Sequence, residues 1–165
     1  MEIVRLDNDY HKEVTDFIDN EWGTPIITKG NIIDIFSLPG FAAVDNGKLA
    51  GAILYQVKDN ECEIAAFFSL TKNKGIGSKL INAVIDAAKE HDCARVWLIT
   101  TNDNTQAIRY YQKRGFTLKA AHINAFKITQ RLKGEFGKCN GGKDGLVLGI
   151  DDIPILHELE FEVVL

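Results

Sequence analysis

Three observations predict an α/β fold, a single domain with a mixed central sheet flanked by helices. Strand-like and helix-like runs alternate along most of the 165 residues. The run Val96-Trp97-Leu98-Ile99 is almost continuously apolar, which suits a central strand covered on both faces. A hydrophobic content of 45% in a chain of this length can fill one substantial core, so residues 1–165 are expected to form one domain.

Each element follows from local pattern. Ile3 to Leu6 reads as a short first strand. Asp9 to Glu21 places Val14, Phe17 and Ile18 at helical spacing. A second short helix is expected over Asn31 to Phe36. Pro39-Gly40 breaks the chain, Phe41 to Val44 is a strand, and Asp45-Asn46-Gly47 supplies a hairpin turn into Lys48 to Val57. Asp59-Asn60 turns again into Glu61 to Phe68, which completes an antiparallel meander. From Gly77 to His91, the residues Leu80, Ile81, Val84, Ala87 and Ala88 recur every three to four positions, as in a helix lying on a sheet.

Arg95 to Thr101 is the next strand. Asn102-Asp103-Asn104 offers helix N-caps, and the helix that follows runs to Arg114 with Gly115 as its stop. Phe116 to Phe126 and Ile155 to Leu165 read as closing strands. Between them Arg131 to Pro154 holds six glycines and is predicted to be a long flexible loop before the last strand, either a functional loop or a plain surface insertion.

Composition removes several classes of function. The net charge is -4 and no basic tract is present, which argues against a nucleic-acid partner. Cys62, Cys93 and Cys139 are odd in number, without CxxC spacing or nearby histidines, so neither a disulfide framework nor a metal site is expected. The four histidines are scattered and receive no catalytic role. The N-terminus has no leader pattern and no apolar run is as long as a membrane span, so a soluble, cytoplasmic protein with no membrane partner is expected.

The most informative stretch is Lys72-Asn73-Lys74-Gly75-Ile76-Gly77-Ser78, between a strand and an amphipathic helix. First-turn amides lack intrahelical acceptors and the helix dipole is positive there, so such a junction collects anions. Glycine at 75 and 77 lets the backbone approach a phosphate without a Cβ in the way. The dinucleotide fingerprint GxGxxG fails because Leu80 stands at its third glycine. The nucleotide P-loop also fails, since neither Gly75 nor Gly77 is followed by Lys and then Ser or Thr. A GxG cradle preceded by lysines remains, together with the alternative of an ordinary strand-to-helix turn.

The rest of the chain bears on that choice. Asn104-Thr105-Gln106-Ala107-Ile108-Arg109-Tyr110-Tyr111-Gln112-Lys113-Arg114-Gly115-Phe116, with the order strand, cradle, helix, strand, helix, strand, resembles the GNAT N-acetyltransferase superfamily. Lys72 to Gly77 resembles its Q/R-x-x-G-x-G/A coenzyme A pyrophosphate motif. Lys72 replaces the more frequent Gln or Arg, which keeps the charge and loses the bidentate fork. The likeness covers Phe41 to Phe126 well and the two ends by topology only.

The resemblance implies acetyl-CoA as co-substrate and transfer of its acetyl group to a small-molecule or peptide amine by direct attack in a ternary complex. It implies that the parallel strands Glu61 to Phe68 and Arg95 to Thr101 splay apart to admit the pantetheine arm. Backbone groups of Ala65, Phe67 and Ser69 would bond that arm, and one N–H would stabilise the tetrahedral oxyanion. Lys72, Asn73, Lys74, Gly75, Ile76, Gly77 and Ser78 would hold the pyrophosphate.

An alkylammonium with a pKa of about 10.4 must lose a proton before it attacks, so a base is needed. Glu61 and Glu63 share a strand face by the two-residue period. Glu61 matches the position of the base in histone-type relatives, and either carboxylate can equally be a surface residue. Tyr111 aligns with the family's general acid for the departing thiolate, the alternative being a packed helix tyrosine. Asn104 is a pantetheine contact by resemblance and a helix cap by position. Trp22, Gly23, Ile26 and Ile27 either line an acceptor pocket or pack in the core.

A different class of function stays open at this point, a non-catalytic acyl-CoA-binding module of the same fold. The acceptor would be shaped by Asp9 to Phe36 and Arg131 to Pro154, whose composition names no ligand. The last strand is expected to offer an edge through which a homodimer could pair.

Overall fold

The computed structural model describes residues 1–6, 8–71, 75–135 and 146–165. The strands are β1 (Glu2–Arg5), β2 (Ile26–Thr28), β3 (Asn31–Ile33), β4 (Gly40–Asp45), β5 (Lys48–Lys58), β6 (Glu61–Ser69), β7 (Arg95–Thr101), β8 (Thr117–His122) and β9 (Glu158–Val164). The helices are α1 (Asn8–Trp22), α2 (Ile76–Glu90), α3 (Thr105–Gln112) and α4 (Ala125–Glu135). Seven strands form one mixed sheet in the order β1-β4-β5-β6-β7-β9-β8, and β2 pairs with β3 as a separate hairpin. The chain groups into two compact units, one of residues 1–24, 34–97 and 164–165, the other of residues 25–33 and 98–163.

The first unit is the predicted meander closed by two helices. Asn46 and Gly47 both take positive φ (51° and 74°), the geometry a two-residue hairpin needs to follow the twist of its strands. Asp59 and Asn60 do the same between β5 and β6. Helix α2 buries Leu80, Ile81, Val84, Ala87 and Ala88, the stripe its periodicity predicts. Of these, Leu80, Ile81 and Val84 contribute about 1.5–3 kcal/mol each. On α1, Val14 and Ile18 are fully buried, and Phe17 stacks on Phe68 of β6 at 4.2 Å between ring centroids.

The pairing of β5 with β6 carries one irregularity. Leu54 faces Ala66 and Tyr55 faces Ile64, so Ala65 has no counterpart in β5. This bulge reverses the facing of every later residue of β6. Glu61, Glu63, Ala66 and Phe68 therefore share the face on which α1 packs. Cys62, Ile64, Phe67 and Ser69 lie on the other face, where Gly51 meets Ile76 of α2.

The second unit departs from expectation in three places. The predicted helix over Asn31 to Phe36 is instead β3, followed in the first unit by a 3-10 turn at Ile35–Ser37. Lys29 and Gly30 adopt positive φ (48° and 75°) and close a hairpin in which Ile26 pairs with Ile33 and Ile27 with Ile32. Four β-branched isoleucines favour that pairing over an isolated helical turn. The expected strand over Phe116 to Phe126 ends at His122, because Asn124 (φ 58°) turns the chain and Phe126 already lies in α4.

Helix α4 in turn takes Arg131 to Glu135 out of the predicted 131–154 loop. Residues 136–145 lie outside the described residues, and Ile150–Asp152 forms a 3-10 turn. The last strand starts at Glu158, since Asn102 engages the segment before it. Its Oδ1 accepts from the N–H groups of Leu156 and His157, and its Nδ2 donates to Pro154 O, each at 2.9 Å. Strand β9 lies inside the sheet between β7 and β8, so it has no edge to offer a partner; the edges are β1 and β8.

A buried polar cluster fastens the hairpin within this unit. Glu158, 2% exposed, accepts from the Lys29 backbone N–H at 2.9 Å and from the Thr129 hydroxyl at 2.5 Å. Glu160, two residues on, accepts from Lys29 Nζ at 3.1 Å and bonds His122 Nε2 at 2.8 Å. Buried carboxylates are tolerated here because each is met by donors.

Candidate active site

The junction of β6 and α2 is described from Gly75 onward. Gly75 is the N-cap of α2 and sits in the left-handed region (φ 69°, ψ 8°), a conformation that costs any other residue strain. No atom of the described residues lies within 4 Å of the position its Cβ would take. Gly77 and Ile76 are buried in the first turn, while Ser78 is half-buried. Lys72, Asn73 and Lys74 lie outside the described residues.

Close packing brings β6 up to this turn. A Cβ on Gly51 of β5 would lie 2.8 Å from Phe68 O, 3.1 Å from Ile76 Cγ2 and 3.2 Å from Ser69 Cα. The absence of a side chain at 51 thus lets the end of β6 and the start of α2 approach. Upstream, the bulge places the backbone of Ala65 outside the register with β5, and Phe67 and Ser69 follow it toward the cradle.

The two glutamates of β6 differ in surroundings. Glu61 is half-exposed and engaged by the Arg95 guanidinium, Nη2 to Oε2 at 2.9 Å, and Arg95 also lies over the Trp97 ring. Glu63 is 5% exposed, and its Oε2 accepts from Gln56 Nε2 at 2.7 Å. Gln56 stands directly opposite Glu63 in the register. The two-residue period correctly put both carboxylates on one face, but nothing in the sequence singled out Gln56. A cross-strand partner is fixed by register, and this register includes the bulge.

In the second unit, Tyr111 is buried on α3 and packs edge-on against Tyr110 and Phe116. Burial raises its phenol above the ordinary value, Tyr110 adds to the shift and Arg114 opposes it. The Tyr110 phenol is also raised by burial, with Arg114 lowering it, and the Arg114 guanidinium lies 3.4 Å from the centre of that ring. Asn104 fulfils its capping role, Oδ1 accepting from the Ala107 N–H at 3.1 Å. The outward side of α3, with Thr105, Ile108, Arg109, Gln112 and Lys113, lines an open hollow of about 400 Å³.

Other sequence candidates fall into structural places. Trp22 is 43% exposed and meets Phe68 edge-on, whereas Ile27 is buried. His91 Nδ1 bonds Ala87 O, and His157 Nδ1 accepts from the Asn124 N–H. Cys62 and Cys93 are buried free thiols, and Cys139 lies outside the described residues. No helix among the described residues is long and apolar enough to cross a membrane.

The mixed sheet flanked by helices is the fold of the solved GNAT acetyltransferases. The chain belongs to the acetyltransferase (GNAT) family, whose model matches residues 6–116. It is 42% identical to the uncharacterized protein YdhI of Bacillus subtilis over 138 residues, 82% of this chain and 86% of that one. Among solved structures, it is similar to a GNAT family acetyltransferase from Elizabethkingia anophelis with acetyl-CoA bound. The TM-score is 0.67 and the identity 19%, over 99% of this chain and 97% of that one. A Bacillus subtilis acetyltransferase in complex with CoA gives a TM-score of 0.65 at 17% identity, with the same coverage.

Proposed function

We propose that the chain uses acetyl-CoA to acetylate a primary amine by direct attack within a ternary complex. The observation that carries this reading is the succession within one unit of the Ala65 bulge, the close approach at Gly51 and the left-handed Gly75 cap. A bulge leaves backbone groups outside the strand ladder, and a helix N-terminus favours anions. The relatives solved with acetyl-CoA or CoA support the donor. Pantetheine would bond the backbone of Ala65, Phe67 and Ser69 as a substitute strand. Residues Lys72 to Ser78 would receive the pyrophosphate, and the side chain of Asn104 would cap α3 beside its family role.

Of the two carboxylates we assign the base to Glu63. Glu61 already holds Arg95 and stands two residues farther from the bulge, about 7 Å along a strand. Glu63, directly or through one water, takes the proton of the acceptor ammonium. The freed amine nitrogen attacks the thioester carbonyl and gives up its second proton to water, the C–S bond breaks as the oxyanion collapses to the amide, and coenzyme A leaves as a thiolate.

Tyr111 is assigned to that sulfur. A phenol raised by burial is a weaker acid than a thiol of pKa about 8.5, so full transfer to the thiolate runs uphill. Its contribution is a hydrogen bond donated to the developing charge, with the proton made up from the medium on release. The buried, reduced thiols of Cys62 and Cys93 are in keeping with a cytoplasmic setting.

The test is coenzyme A release from acetyl-CoA across a panel of amines, polyamines, amino acids and aminoglycosides. Turnover with at least one acceptor, reduced about 100-fold or more by Tyr111→Phe, is expected. Coenzyme A binding by calorimetry with no turnover on any acceptor would instead favour the non-catalytic acyl-CoA-binding module. An unaffected Tyr111→Phe enzyme would remove that residue from its role.

A further inference from the structure

We propose that Gln56 is a positioning residue that holds the Glu63 carboxylate ionised and oriented for proton abstraction, an inference that rests on Glu63 being the base. The two side chains face each other across β5 and β6. They meet at 2.7 Å, short for an N–H donor and in the range of charge-assisted bonds. An ionised carboxylate only accepts, so the amide must present its N–H to Oε2. Glu63 is 5% exposed, and a charge this far out of water depends on its donors.

Gln56 is suited to this work because it donates without carrying charge. A lysine in its place would form an ion pair and weaken Glu63 as a base, as a carboxylate beside a cation gives up its affinity for protons. An aliphatic residue would remove the donor that Gln56 supplies to Oε2 and so favour the protonated carboxyl, which cannot accept a proton from the acceptor. An uncharged amide keeps the carboxylate ionised at neutral pH while leaving it basic. Along this face, Lys58 stands opposite Glu61, which pairs with Arg95. Helix α1, which packs on the same face, carries the Lys12–Asp16 pair and Asp19, which accepts from Thr24. The Cys62 thiol, next to Glu63 in β6 and coupled to it, lies on the opposite face and stays protonated at neutral pH.

The experiment is a carbon-13 NMR titration of the Glu63 side-chain carboxyl in the full chain, its resonance identified by its loss in Glu63→Gln. Gln56→Met keeps the length of the side chain and removes the donor, and is expected to move the titration midpoint up by about one pH unit. Gln56→Lys is expected to move it down by about one unit. A residue that merely packs would alter thermal stability and leave the midpoint in place, so an unchanged midpoint in both variants overturns the proposal. Should Gln56→Met fail to fold, Gln56→Asn retains a polar amide but withdraws it by one methylene, with the same upward displacement expected.

The underlying assignment fails separately. Glu63→Gln is assayed by coenzyme A release with the amine the wild type accepts best. Full activity there removes Glu63 as the base, and with it the catalytic role of Gln56, whatever the NMR midpoints show.

Discussion

Replacing Gly51 by alanine tests how closely the donor strand and the cradle helix approach. The new Cβ would stand 2.8 Å from Phe68 O and 3.2 Å from Ser69 Cα, both backbone atoms that cannot rotate away. A third contact, 3.1 Å to Ile76 Cγ2, blocks retreat toward α2. Relief therefore requires the end of β6 to move by several tenths of an ångström. Overpacking of this kind costs about 1–3 kcal/mol. With a urea slope of about 2 kcal/mol/M, the midpoint should fall by about 1 M without a change in slope. The same displacement shifts the backbone proposed to receive pantetheine, and loss of one net hydrogen bond of about 1 kcal/mol weakens coenzyme A binding about fivefold. Gly75→Ala is a control for the unfolding measurement alone, because Gly75 belongs to the proposed pyrophosphate cradle. No atom of the described residues lies within 4 Å of the added Cβ, so its cost in stability is the left-handed strain of about 1–2 kcal/mol. The assays are urea unfolding followed by circular dichroism, and calorimetry with coenzyme A. Wild-type stability and unchanged affinity in Gly51→Ala would refute the reasoning, since the clash would then not be real.

Two further outcomes concern stability. Thr129→Val removes the hydroxyl that serves the buried Glu158 carboxylate while keeping the volume, and should cost about 1–3 kcal/mol in urea unfolding, with Thr129→Ser close to wild type. Burial pushes the Cys62 thiol from an ordinary 9.0 up to about 12, with lesser contributions from Cys93 and Glu63. Because the folded state resists ionisation, its contribution is complete below pH 9 and is lost as pH rises from 9 toward 12. Between pH 8 and pH 10 the wild type should lose roughly 1 kcal/mol more than Cys62→Ala, measured by urea unfolding at both values. Equal losses would contradict the burial argument.

Much of the fold is legible because local chemistry and tertiary structure agree. Asn46-Gly47 suits a tight hairpin wherever it occurs, the α2 stripe is long enough for its period to stand out, and the observed β7 has the bounds its apolar run predicts. Asn31 to Phe36 misleads because six residues with three isoleucines and a phenylalanine fit either period. The hairpin formed through Lys29-Gly30 decides the matter by pairing them. The end of β8 and the start of α4 hinge on Asn124, whose φ of 58° is an allowed minority state that no pattern requires. Glu158 and Glu160 belong to the last strand, and no local pattern marks them as buried. They are buried because Lys29, Thr129 and His122, distant in sequence, supply their donors.

The candidate site turns on the one feature of β6 that sequence periodicity cannot carry. With a strict two-residue period, Glu61, Glu63, Ala65, Phe67 and Ser69 would all face the same side, and the acid–base and donor-binding groups would compete for it. The extra residue at Ala65 breaks that series. Before it, Glu63 turns to the face of α1, where Gln56 meets it; after it, Phe67 and Ser69 turn to the face of α2, beside the cradle. The bulge also exempts Ala65 from the β5 register at the point where the thioester carbonyl would need a donor. One inserted residue thus separates the proposed base from the proposed donor groups onto opposite faces of a single strand. This separation is the ground on which we propose Glu63, rather than Glu61, as the base.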